Sequence, residues 1–72
     1  MIFNGNEKIN KKKVKFLSKV SENAFVIDID GITAFIYFSS DFEHGFKEGD
    51  EIRMENLYSI YEHIIHLVEI NL

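Results

Sequence analysis

Two runs of alternating apolar and polar residues meet at Asp30-Gly31, and that junction constrains the chain more than any other feature. From Ala24 to Asp30, Phe25, Ile27 and Ile29 fall on one side, and Val26, Asp28 and Asp30 on the other. From Ile32 to Ser39, Ile32, Ala34, Ile36 and Phe38 oppose Thr33, Phe35, Tyr37 and Ser39. A period of two is the signature of a strand, because successive side chains point to opposite faces. Gly accepts the positive φ that a two-residue type I′ turn requires, so Asp-Gly between two such runs predicts a hairpin. A third run precedes it. From Lys11 onward, Val14, Phe16, Ser18 and Val20 alternate with Lys13, Lys15, Leu17 and Lys19, and Ser21-Glu22-Asn23 reads as a turn. The three runs predict an antiparallel meander.

Ser40 to Gly49 reads as a loop, and Gly49-Asp50 opens a fourth strand from Glu51 to about Leu57, with Ile52 and Met54 inward. The remainder fits two patterns. On a helical wheel, Leu57, Ile60, Tyr61, Ile64, Ile65, Leu67 and Val68 share a face, as in an amphipathic helix. The same stretch is rich in Ile, Val, Tyr and His, which favour strands. The chain is therefore expected to be all-β, a small five-stranded barrel with His63 to Ile70 pairing to the fourth or the first strand. The alternative is four strands plus a C-terminal amphipathic helix. The predicted core is Val14, Phe16, Val20, Phe25, Ile27, Ile29, Ile36, Phe38, Ile52 and Met54.

Length and composition narrow the function. Seventy-two residues allow one domain with a thin core, 1–72, of which 1–10, with a turn signal at Asn4-Gly5, reads as a short turn, a strand or a mobile segment. The sequence has no cysteine, hence no disulfide and no thiolate site. No apolar run approaches membrane-span or signal-peptide length, so a cytoplasmic module is expected. A net charge of -4 conceals a split. Residues 1–20 carry six lysines and one acid, whereas 21–72 carry Lys47 and Arg53 against eleven acids. A basic arm on an acidic body is one reading; a solvated strand whose lysines meet nearby carboxylates is the other.

The order of segments resembles OB-fold nucleic-acid-binding domains. Phe46 to Ile70 is similar to the second half of the anticodon-binding type. There a Lys-Glu-Gly-Asp entry, here Lys47 to Asp50, leads into strand four. A tyrosine-centred turn (Tyr61-Glu62-His63) and an apolar final strand (His66 to Ile70) follow. The first half resembles a cold-shock domain. Val14-Lys15-Phe16-Leu17 stands where that family has Val-Lys-Trp-Phe, and Phe35 to Ser39 where it has Phe-Val-His-Phe-Ser. The chain departs from both families. Glu22-Asn23-Ala24-Phe25 replaces a basic, glycine-rich motif, and Asp28-Ile29-Asp30 lacks an expected arginine.

The resemblance implies binding of single-stranded nucleic acid, through a basic groove and aromatic rings on which bases stack. The residues expected to do so are Lys13, Lys15, Phe35 and Tyr37. Packing or an oligomer contact is the competing role for Phe35. Asp28 and Asp30 share the side of Val26 and oppose a phosphate backbone. The second expectation is an acidic interaction factor, such as an immunity or inhibitor protein facing a nuclease or another basic partner. Asp41, Glu43, Glu48, Asp50, Glu51 and Glu55 would form its patch. Homo-oligomerisation through a strand edge is a third. His44, His63 and His66 lack the spacing and co-ligands of a zinc site. No nucleophile elbow, phosphate loop or converging acid–base pair is present, so neither enzyme activity nor a cofactor or metal is expected.

Overall fold

The computed structural model describes residues 12–70; the N-terminal segment 1–10 lies outside them. The chain is mostly β. Its elements are β1 (Lys13–Ser21), β2 (Ala24–Ile29), β3 (Ile32–Phe38), β4 (Glu51–Arg53), α1 (Met54–Ser59), a 3-10 turn (Tyr61–His63) and β5 (Ile64–Glu69). They form one five-stranded antiparallel sheet in the order β4-β1-β2-β3-β5. The β2–β3 hairpin turns through Asp30 (φ 53) and Gly31 (φ 89), both left-handed as a type I′ turn demands.

The sheet is open. Among the described residues no pairing joins β4 to β5, so the expected barrel closure is absent and these two strands are its edges. The reason lies in the last third of the chain. The fourth strand was expected to run to about Leu57, but it ends at Arg53. Met54 donates its N–H to the Lys12 carbonyl at 3.0 Å and starts the six-residue α1, whose one buried side chain is Leu57. Leu57 belongs to the core, so this connection crosses the covered face of the sheet. It delivers β5 to the far side, against β3 rather than against β4 or β1 as expected. Residues 64–69 are a strand, so the alternative C-terminal helix reduces to the single turn and a half of α1.

The core comprises Val14, Phe16, Phe25, Ile27, Ala34, Ile36, Phe38 and Leu57, with Ile29, Ile52 and Met54 partly buried against it. Phe16 meets Phe25 edge-on at 5.1 Å and stacks on Phe46 at 4.5 Å. The loop after β3 is thus part of the core, since Phe42, His44 and Phe46 lie over Phe38 and its neighbours. Val20 does not join them and is 57% exposed. The register of β1 on β2 slips between Phe16 and Ser18 and again between Lys19 and Ser21. Each extra residue breaks the alternation, so the phase set by Val14 and Phe16 is lost before Val20.

Two truncations separate the covered interior from this displaced position. Ile27→Ala should cost about 2–5 kcal/mol, enough to unfold most of a domain this marginal, whereas Val20→Ala should stay within about 0.5 kcal/mol. Circular-dichroism melts check both, and equal losses would contradict the phase described.

Candidate functional site

The face of the sheet turned away from Leu57 is built by cross-strand register. Val26 lies opposite Phe35, and Phe35 opposite Val68. One step along, Tyr37 lies opposite His66, the two rings edge-on at 6.3 Å. In the other direction Glu51, Lys15, Asp28 and Thr33 form a row across four strands. Lys13 lies opposite Arg53 beyond it. All four residues expected from the sequence, Lys13, Lys15, Phe35 and Tyr37, therefore share one face. Phe35 is half-buried, and Tyr37 is 39% and Val68 55% exposed. Phe35 and Tyr37 are two residues apart on β3, about 6.8 Å along the strand.

His66, Val68 and Arg53 were not among the expected site residues. They reach this face only through the pairing of β5 with β3 and of β4 with β1, which local pattern does not specify. Asp30 sits in the turn at positive φ rather than on the face. Asp28 does lie there, opposite Lys15. The cations are thus interleaved with carboxylates. Lys13 Nζ is 3.8 Å from Glu51 Oε1, with both side chains at least half exposed. Such a pair contributes about 0–1 kcal/mol and leaves the lysine available to a stronger anionic partner.

The six acids of the second expectation are differently engaged. Glu48 Oε2 accepts the Lys19 N–H at 2.8 Å, and Asp50 Oδ2 accepts the Lys47 N–H at 3.0 Å. Glu51 faces Lys13, and Asp41 Oδ1 accepts from the Ser39 hydroxyl. Glu43 and Glu55 are exposed. Three of the six, Asp41, Glu48 and Asp50, thus accept hydrogen bonds from local structure. The Ser39 hydroxyl, helped by the Asp41 backbone, holds the Asp41 carboxyl below its ordinary range.

The histidines are dispersed. His44 Nε2 lies 2.9 Å from the Glu22 carbonyl, while Nδ1 accepts the Phe46 N–H at 2.8 Å. These partners fix the tautomer, with the proton on Nε2. His63 stacks on Phe42 at 4.3 Å. Among the described residues no three His, Asp or Glu side chains gather as metal ligands. An open hollow of about 670 Å³ lies beside Lys19, Glu22, Phe42 and His44, away from the four expected residues. A smaller one of about 280 Å³ includes Lys13, Glu51, Arg53 and Asn56. No helix among the described residues is long and apolar enough to cross a membrane.

Compared with family models, curated proteins and solved structures, the chain matches none of them.

Two measurements probe the polar arrangement. Long-range proton–nitrogen spectra of the imidazoles should show His44 protonated at Nε2 and bare at Nδ1; the opposite tautomer contradicts the described bonds. Ser39→Ala should raise the Asp41 pKa toward the ordinary carboxylate value in a carboxyl-carbon titration. The sign follows from linkage. A carboxyl held low in the folded state adds stability above its unfolded pKa, and loses that contribution as pH falls through the folded value. Ser39→Ala should therefore narrow the gap in melting temperature between neutral and acid pH.

Proposed function

We propose that the chain is a small, non-catalytic, OB-like binding module whose sheet face takes single-stranded nucleic acid in the cytoplasm. The observation that carries the reading is the single exposed face shared by Phe35, Tyr37 and His66 on one side and Lys13, Lys15 and Arg53 on the other. A base needs only a ring to stack on, and each such stack contributes about 1–3 kcal/mol. The lysines and arginine supply phosphate contacts, while Asp28 and Glu51 keep that supply small. Binding on this reading is weak, tolerant of sequence and led by stacking. The acidic-factor reading is less favoured, since Asp41, Glu48 and Asp50 already accept hydrogen bonds within the loop and from β1.

Fluorescence anisotropy with a labelled single strand at low salt tests it. Phe35→Ala together with Tyr37→Ala should weaken binding at least about 30-fold. Because Phe35 is half-buried, Tyr37→Ala alone serves as the variant expected to keep its fold. Three phosphate contacts at most, from Lys13, Lys15 and Arg53, predict a slope no steeper than about -2.1 for the logarithm of affinity against that of salt. Asp41→Lys and Glu43→Lys should not weaken binding. No anisotropy change at about 100 µM protein, the weak limit of non-specific association, overturns the proposal.

A further inference from the structure

The two edges of the sheet are treated differently. β4 is three residues long, has Glu51 and Arg53 exposed, and runs directly into α1. Short length and charge are the devices that stop a sheet edge from recruiting another strand. β5 has neither. It is six residues long (IIHLVE), with Glu69 as its one carboxylate and neither Lys nor Pro. Ile65, Leu67 and Val68 are 54%, 40% and 55% exposed.

The direction of its free hydrogen-bonding groups follows from one bond. Ile70 donates its N–H to the Thr33 carbonyl on β3 at 2.9 Å. In an antiparallel ladder a residue's N–H and C=O point to the same side, and neighbouring residues alternate. Val68 and His66 therefore face β3 with Ile70, and Leu67 and Glu69 turn their N–H and C=O outward. Among the described residues nothing accepts or donates to that outer row.

We infer that β5 is the docking edge for a second copy of this chain, paired antiparallel about a two-fold axis at Leu67. Leu67 is the midpoint of 64–70 and an outward-bonding residue, so its N–H and C=O meet the same groups of its symmetry mate. That registration sets His66 beside Val68 of the partner copy and Glu69 opposite an isoleucine, Ile65, rather than opposite a second Glu69. Like charges are kept apart, and Leu67 meets its own symmetry mate across the axis, which is what an isologous contact needs. The result is a continuous ten-stranded sheet in which the faces bearing Tyr37 and His66 become neighbours. This pairing is independent of the ligand assigned to that face.

Sedimentation equilibrium and amide exchange on the full chain test it together. The wild type should sediment as a dimer. The Leu67 and Glu69 amides should exchange at least about 10-fold more slowly at concentrations where it is dimeric than at those where it is monomeric. Leu67→Lys should be monomeric, with circular dichroism reporting its fold. Ile65→Lys should also be monomeric and covers the case in which Leu67→Lys fails to fold. Val20→Lys, a charge on an equally exposed residue away from β5, should remain dimeric. A wild type that stays monomeric at millimolar concentration overturns the inference, as does a folded Leu67→Lys or Ile65→Lys dimer. A monomer whose Leu67 and Glu69 amides are nevertheless protected overturns it too, because the edge is then covered within one chain.

Discussion

Phe16 is where the separate parts of this chain become one structure. Its ring is edge-on to Phe25 of β2 and stacked under Phe46 of the long loop. Its N–H donates to the Asp50 carbonyl and its C=O accepts from Gly49, both at 2.8 Å, so the backbone entering β4 is aligned by the same residue. Gly49 can make that approach because it sits at φ 92, where a side chain is strained. One residue thus couples the meander to the loop and the loop to the fourth strand. Its burial outweighs any surface ion pair, since exposed pairs contribute about 0–1 kcal/mol and a buried Phe several times that.

From that coupling follows the asymmetry of the sheet. Phe42 and Phe46 of the loop, with Met54, Leu57 and Ile60 of the later connection, all pack with Phe16 on one face. The opposite face keeps Val26 and Phe35 only half covered and leaves Tyr37, His66 and Val68 more open. The described residues cover one face of the sheet and leave Tyr37, His66 and Val68 exposed on the other.

Much of this was legible in the sequence, and the exceptions have physical causes. Asp30-Gly31 and the alternation of β2 and β3 fix phase and register locally, which is why Phe35 and Tyr37 could be placed together beforehand. Val20 was misplaced because nothing in Leu17-Ser18-Lys19 marks an inserted residue; the slip is set by how β1 accommodates β2. The helical turn at Met54–Ser59 has no side-chain cap, and Ile52 and Met54 continue the alternation of a strand, so pattern alone extends β4 through it. His66 and Arg53 join the face through strand partners chosen by packing of the whole domain. The spacing of Phe42, His44 and Phe46 was a signal of period two inside an apparent loop, and it marked the residues that roof the core.

The order β4-β1-β2-β3-β5 also governs how the chain finds its structure. The central meander forms from neighbours in sequence, through two short turns. β4 must then close on β1 from some thirty residues away, and β5 on β3 from almost as far, each against the entropy of an intervening loop. Folding is therefore limited by bringing distant segments together, in the milliseconds-to-seconds range typical of such topologies. With neither proline nor cysteine in the sequence, the chain has no prolyl isomerisation to wait for and no disulfide to sort, so closing the two outer strands sets the pace of folding within one copy.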